Sequence, residues 1–342
     1  MNKFKMNLQL FALQTTLLAD LSPEMKTFYD MTLIDEASAN LVHDQFGQKR
    51  DIPKGSGKTI EFRKFAPLPK ATTALVEGVT PTGKDLKVTA ITSTVSQYGD
   101  FVTQSDVLEL TALDNTILEA TKLLGRQAGA TLDTIVRDVL HTGTNVSYCS
   151  KVAADGTETE VTARNGLDAT AKLTVKEIQK VVAKLRGQNA PTINGKYVAI
   201  IHPYVAYDLM RCPEWVEAHK YAKPENLYTG EIGEIAGVRF IQTTESKIFN
   251  GAGCPNGLAV FGCLFMGDGA YGVTEITGGG LETIVKQKGS AGTADPLDQR
   301  SSVGWKAIRT AEILIPNYLV RVECCSDFSA STATSMGDAT SN

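Results

Sequence analysis

The chain has 342 residues, of which 42% are hydrophobic and 21% charged, and this composition is typical of globular proteins. The length suits two modest domains or one elaborate domain. A formal net charge of −4 excludes a strongly basic nucleic-acid-binding surface over the whole chain, and without eighteen consecutive apolar residues no membrane-spanning helix is predicted.

Residues 1–47 form a mixed arm followed by a helical pattern. The first twenty residues contain two lysines and then an apolar-leaning run, which partly resembles a secretion signal. Polar residues interrupt that run, and no small-x-small cleavage motif follows it. From Pro23 to Phe46 the apolar residues recur at helical spacing, with Ser22 as a candidate N-cap and Gly47 as the stop.

Residues 48–102 are predicted to form an extended β loop. Proline and glycine punctuate short runs, Thr59–Arg63 alternates, and the segment from Asp85 to Val102 is rich in threonine and valine, which favour strands. Two extended runs with a Pro/Gly-rich, charged middle predict a long hairpin-like loop. The middle has few residues to build a core, so it either lies on a partner surface or is disordered.

The segment 103–144 is predicted to be a short helix followed by a long one. Thr103 and Ser105 can cap the first helix, while Asp114 and Asn115 offer a second start. Gly143 supplies the stop. Thirty helical residues would span roughly 45 Å, which is long for a globular domain. The segment is either a long core helix or a spine that carries extended parts on either side, and the flanking segments decide between the two. The predicted buried face comprises Leu110, Leu113, Ile117, Thr121, Leu124, Ala128, Leu132, Ile135 and Val139.

Strands and helices alternate through 145–280, which predicts an α/β domain. An amphipathic helix over Thr174–Arg186 is followed by a buried strand at Tyr197–Ile201. Residues 281–328 contain further extended runs, two of them on either side of Pro316. The polar tail 329–342 has a composition that is normally disordered.

Two glycine-rich stretches partly match nucleotide-binding loops. Gly55–Thr59 ends like a phosphate-binding loop, but its first glycine is missing and an alternating strand pattern follows it. Gly267–Gly272 fits G-x-G-x-x-G, yet too few residues follow for a full helix to hold a pyrophosphate. In both places we expect a turn with a short helix. A nucleotide-binding enzyme remains an alternative that rests on the first stretch alone.

The sequence predicts no catalytic, cofactor-binding or metal site. The six cysteines form no Cys-x-x-Cys pair, and we expect all six to be reduced. The four histidines lie in apolar or capping contexts that indicate structural roles. A basic cluster in the β loop suits either nucleic acid or, more readily, a neighbouring subunit. The subunit-interface candidates are Arg63, Lys64, Lys70, Glu77, Lys84 and Asp85.

The order of these parts resembles a tailed-bacteriophage major capsid protein. The motifs that carry the resemblance are QLFALQTTLLADLSPEMKTFYD, VEGVTPTGKDL, VSQYGDFVTQSDVLEL, AIIHPYVAYDL, GEIAGVRFIQTTE and GWKAIRTAEILIPNYLVRVE, and they cover the chain from about Leu10 to Val322. The resemblance implies the α+β shell fold shared by tailed phages and herpesviruses. Its parts would be an N-terminal arm and helix at 1–47, an extended β loop at 48–102, a spine helix of the peripheral domain at 103–144, an α/β axial domain at 145–280, closing strands at 281–328 and the tail at 329–342.

The resemblance also implies a function and partners. The subunits would form hexamers and pentamers of an icosahedral shell around double-stranded phage DNA, after assembly in the bacterial host cytoplasm. A separate scaffolding protein, a portal and decoration proteins would be further partners, and no enzymatic activity, cofactor or membrane is implied. A nanocompartment shell protein of the same fold and a secreted surface protein are the alternatives.

Overall fold

The computed structural model of the chain describes residues 31–37, 41–65, 68, 70–74, 77, 78, 80, 83–111, 116–153, 155–222, 233–289, 297, 299–337 and 339–342. They belong to two compact units. The first unit comprises Met1–Ser38, Gly99–Ala128 and Leu281–Lys306, and the second comprises Ala39–Tyr98, Gly129–Gly280 and Ala307–Asn342.

The elements follow one another in a mixed α and β order. Residues 31–37 are helical. The other helices are α1 (Asp106–Thr111), α2 (Thr116–Leu140), α3 (Val175–Gly187), α4 (Pro203–Met210), α5 (Pro213–Ala222) and α6 (Ser329–Met336). The strands are β1 (Gln48–Ile52), β2 (Thr59–Phe65), β3 (Val88–Thr94), β4 (Ser96–Ser105), β5 (Val146–Tyr148), β6 (Lys151–Val152), β7 (Glu158–Thr159), β8 (Tyr197–Ile201), β9 (Glu234–Ile235), β10 (Val238–Gln242), β11 (Ile248–Phe249), β12 (Val260–Met266), β13 (Tyr271–Ile276), β14 (Glu282–Lys286), β15 (Arg300–Ile313) and β16 (Leu319–Cys324).

In the first unit, the helical residues 31–37 pack against the first half of α2. Leu33 is fully buried, and a Cβ added at Gly125 would lie 2.9 Å from the Leu33 carbonyl oxygen, so only glycine allows this approach. Arg126 donates to Glu36 at 2.8 Å beside this contact. In the same unit β14 pairs antiparallel with the first part of β15, from Glu282 opposite Lys306 onwards.

The second unit contains a seven-stranded sheet in the order β5-β16-β12-β8-β10-β9, with β11 paired to β12. All five residues of β8 are buried, as its continuous apolar run predicts for a central strand. Helix α3 begins at an N-cap, where the Thr174 side chain accepts from the Glu177 amide. Its residues Ile178 and Leu185 are fully buried in the core that includes this sheet.

A second set of strands in this unit surrounds β13. Strand β1 pairs with β13 in parallel, and the later part of β15 pairs with β13 antiparallel. Strands β2 and β3 form an antiparallel hairpin with paired residues from Thr59↔Thr94 to Phe65↔Val88. The hairpin predicted from the threonine- and valine-rich sequence is therefore present, and it begins after β1.

Four sequence expectations were wrong in detail. Residues 41–46 are not helical, and 43–46 form a turn, where the pattern predicted a helix up to Gly47. The Val42 and His43 amides donate to the Asp133 carboxylate and not to helical carbonyls. Both glycine-rich turns lead into strands, β2 and β13, and neither leads into a helix. The buried face of α2 continues through Val136 and Leu140, while Ile135 and Val139 are half-buried.

The fourth correction concerns the polar tail, which is ordered. Ser329–Met336 is a helix in which Ser329, Thr332 and Ala333 are buried. Small side chains allow the helix to pack closely, and the hydrogen bonds described below tie the following residues to β11. The predicted helix starts at Ser22–Pro23 and at Asp114–Asn115 lie outside the described residues.

Candidate assembly surfaces

The β2–β3 hairpin is anchored at its base by one aromatic side chain. Phe62 is 4% exposed, and a Cβ added at Gly272 would lie only 2.9 Å from the Phe62 ring. The Arg50 guanidinium lies over the same ring, 5.7 Å from its centroid. At the open end of the hairpin, the Val95 amide donates to the Lys58 carbonyl at 3.0 Å. The base is thus part of the second unit's core.

Beyond this base the hairpin exposes both apolar and charged groups. Leu68, Leu86 and Val88 are 57%, 65% and 49% exposed. Large aliphatic groups are costly to leave in water when they cluster. The hairpin therefore leaves three large aliphatic side chains in contact with solvent.

The six predicted interface residues do not form one patch. Arg63 and Lys64 are neighbours on β2, so their side chains point to opposite faces of the hairpin. Arg63 is 68% exposed in its side chain and donates to Glu61 at 3.0 Å on its own face. Lys64 is half-buried on the face of Phe62. The remaining four candidates, Lys70, Glu77, Lys84 and Asp85, are exposed residues of the tip.

A second surface, which the sequence reasoning missed, lies in the first unit. A groove of about 480 Å³ runs between β4, α1 and the start of α2. Among its lining residues Val102, Leu108 and Leu123 are 42%, 46% and 64% exposed. Two features of the sequence could have indicated this groove. Phe101 and Val102 are consecutive apolar residues on a strand, and Leu123 is a second apolar residue beside Leu124 on the helix.

A buried polar network holds the segment that precedes the hairpin. The Asp133 carboxylate accepts from the Val42 amide at 2.8 Å, from the His43 amide at 2.7 Å and from His43 Nδ1 at 2.7 Å. Tyr271 donates its hydroxyl to the His43 carbonyl, and Arg309 pairs with Asp44. Both His43 and Asp133 side chains are fully buried. The pair is closed to a substrate, and its geometry indicates a structural role.

The other histidines described in side-chain detail are also part of the fold. His202 caps α4 by accepting from the Tyr204 amide at 3.1 Å, and burial lowers its pKa to about 4. His141 is buried, and desolvation together with the neighbouring Arg321 charge holds its pKa well below the ordinary value. Within the described residues, no cluster of histidine, cysteine and acidic side chains has the geometry to hold a metal ion. None of the described helices is long and apolar enough to cross a membrane.

Comparison with known protein families shows which family the chain belongs to. A family model described as phage capsid protein matches residues 88–320, about two thirds of the chain. This chain belongs to the phage capsid protein family. It is a major capsid protein that forms the virion shell. No curated protein sequence matches the chain.

Solved phage capsids share the fold of this capsid protein. The capsid of cyanophage P-SCSP1u is similar with a TM-score of 0.64 at 15% identity, over 82% of this chain and 87% of that one. The capsid of Ralstonia phage GP4 gives a TM-score of 0.63 at 12% identity, over 95% and 99%. The capsid of cyanophage Pam1 gives 0.60 at 15% identity, over 96% and 100%. The predicted α+β capsid fold and the predicted family are thereby confirmed.

Proposed function

We propose that this capsid protein closes an icosahedral shell as hexamers and pentamers, and that the hairpin tip of each subunit lies on a neighbouring subunit. The proposal rests on the difference in side-chain exposure along the hairpin. Phe62 is buried at the base, whereas Leu68 and Leu86 at the tip are more than half exposed. An isolated two-stranded hairpin is marginally stable in water, so a neighbouring surface would stabilise the tip.

The polar residues of the tip would give this contact its register. Lys70 and Lys84 carry positive charge, and Glu77 and Asp85 carry negative charge, so the tip offers both signs to a partner. Complementary charge contributes more to orientation and association rate than to affinity. Arg63 and Lys64 would contribute separately, because they lie on opposite faces of β2.

The shell would enclose double-stranded phage DNA, contacted without sequence specificity on its inner face. Assembly in the host cytoplasm with a separate scaffolding protein and a portal is the route implied by the family resemblance, and decoration proteins are further partners of this kind. We assign no enzymatic activity to the subunit. The one His–Asp pair described above is enclosed, and the segments after both glycine-rich turns are strands.

Deleting residues 69–81 and bridging the gap with a short glycine linker tests the proposal. Strands β2 and β3 and the Phe62 anchor stay intact, so the subunit should remain folded and soluble by circular dichroism. Closed particles should be absent in electron micrographs and in size-exclusion chromatography. Normal particles from this variant would refute the role of the tip.

A charge reversal gives a finer test. Lys70→Glu should weaken assembly more at low salt than at high salt, because ionic screening shortens the reach of exposed charges to about 8–10 Å. Lys54→Glu is the matched control, since it changes another exposed lysine of the same unit in a turn outside the tip. Equal salt dependence of the two variants would contradict the contact.

A further inference from the structure

The end of the chain is held against β11 as an additional strand. The Asn250 amide donates to the Thr340 carbonyl at 2.8 Å, and the Asn342 amide donates to the Ile248 carbonyl at 3.3 Å. Phe249 and Ser341 form the bridge between these two contacts. This is the hydrogen-bond pattern by which an extended peptide adds to a sheet edge.

The Asn342 side chain forms two hydrogen bonds with backbone groups of the same edge. Its Oδ1 accepts from the Ile248 amide at 2.9 Å, and its Nδ2 donates to the Ser246 carbonyl at 3.0 Å. A donor and an acceptor separated by one residue fit a primary amide. Aspartate lacks the donor, and alanine lacks both groups. The edge therefore distinguishes asparagine from residues of similar size.

Two cations converge on the main-chain oxygen of Asn342. Arg137 Nη2 donates to it at 2.9 Å and Lys247 Nζ at 3.1 Å. Arg137 is 1% exposed, and its Nη1 donates to the Glu245 carbonyl at 2.9 Å. Asp138 Oδ1 accepts from both cations. The two cations therefore donate to one main-chain oxygen and share the Asp138 carboxylate as a second acceptor.

The buried side chain of His141 lies within electrostatic reach of these two cations. Burial holds the pKa of His141 well below its ordinary value, and the charges of Arg321, Arg137 and Lys247 act in the same direction. A buried arginine is costly unless its donors are satisfied. Removing the tail would leave the Arg137 contact unfilled and expose the edge of β11.

We propose that Ser246–Phe249, together with Arg137 and Lys247, is a peptide-binding site that selects asparagine, and that its ligand is the chain's own segment Thr340–Asn342. The site fastens the tail to the end of α2 and to the sheet edge. Asn250 extends the attachment, because its Nδ2 donates to the Ala333 and Gly337 carbonyls at 3.3 and 3.0 Å. This inference does not depend on the proposed assembly contacts.

Binding of a peptide in trans tests the site directly. The variant that lacks residues 339–342 is titrated against a fluorescein-labelled peptide, Gly-Asp-Ala-Thr-Ser-Asn, and fluorescence anisotropy is recorded. The peptide should bind saturably. Replacing its asparagine with aspartate removes the hydrogen bond to the Ser246 carbonyl and places a carboxylate oxygen against that carbonyl, and replacing it with alanine removes both side-chain hydrogen bonds. Either change should weaken binding by about tenfold or more. Absence of saturable binding to the soluble variant, or equal binding of the three peptides, would overturn the proposal.

If the truncated variant fails to fold, hydrogen exchange measured on the 342-residue chain tests the same site. In Asn342→Ala, which removes the side-chain acceptor of the Ile248 amide, the Ile248 and Asn250 amides should exchange with deuterium at least about tenfold faster than in the unmodified chain. Amides of the central strand β8 should keep their exchange rates and serve as the internal control. Unchanged exchange at Ile248 and Asn250 would show that the asparagine is not recognised.

Discussion

Replacing Asp133 should be among the most destabilising single changes in the second unit. Its carboxylate joins α2 to a segment 90 residues earlier through three hydrogen bonds of 2.7–2.8 Å, and it is fully buried. Asp133→Ala would leave the Val42 and His43 amides and His43 Nδ1 buried without their acceptor. Removing one partner of a buried charged network costs about 3–5 kcal/mol.

Asp133→Asn should cost less, about 1–3 kcal/mol. Its carbonyl oxygen can still accept from both backbone amides. The carboxylate is an acceptor only, so His43 donates from Nδ1 in the native pair. In the variant the asparagine NH₂ group takes the place of this carboxylate oxygen and donates to His43, so the imidazole must accept on an unprotonated Nδ1. The expected order of stability is therefore wild type, then Asn, then Ala.

Urea unfolding of the unassembled subunit measures this order. A Trp305→Phe background leaves Trp215, which is buried in the second unit, as the sole tryptophan. Glu119→Ala is the control, because it removes an exposed i,i+3 pair with Lys122 that contributes about 0–1 kcal/mol. If Asp133→Ala unfolded within about 1 kcal/mol of the unmodified protein, the network would not hold this segment.

Three further predictions concern the core, the thiols and pH. Val136→Asp should give insoluble protein in expression trials, because it places an unpaired charge at a fully buried position, while Ile135→Asp at a half-buried position should be milder. Ellman's reagent should modify only Cys212 and Cys254 in native protein, since the other four thiols are buried, and faster labelling of those four would contradict the packing. The pKa of His202 is lowered from 6.5 to about 4, so its contribution to stability is complete above pH 6.5 and is lost as pH falls towards 4. In thermal melts His202→Ser, which keeps a capping oxygen, should flatten this part of the pH profile.

Several elements could be predicted from local sequence because their causes are local. The spacing of Leu124, Ala128 and Leu132 specifies a helix with one buried face, and Thr174 with Glu177 specifies the start of α3. The alternation of Thr59–Phe65 specifies a strand. Near Ile135 the prediction assigned the wrong residues to the buried face of the long helix. Apolar residues spaced three or four apart fit either of two neighbouring faces there, and only packing shows which face is buried.

The candidate surfaces were harder to predict because they depend on pairing. Arg63 and Lys64 looked like one basic patch, but strand geometry sends them to opposite faces. The groove along Leu108 and Leu123 lies between consecutive elements, β4, α1 and the start of α2, and it depends on how these three elements pack. Neither charge spacing nor hydropathy specifies which apolar residues remain exposed after the core has formed.

The amino-acid sequence by itself determined the order of helices and strands, the hairpin and the resemblance to capsid proteins, since these follow from periodicity, turn residues and short motifs. Only the tertiary structure decided that Asp133 binds Val42 and His43, that β1 pairs with β13, and that the polar tail docks on β11. Each of these contacts joins segments about 90 to more than 200 residues apart. Their hydrogen bonds form only when folding brings both partners out of water together, so no local pattern carries them.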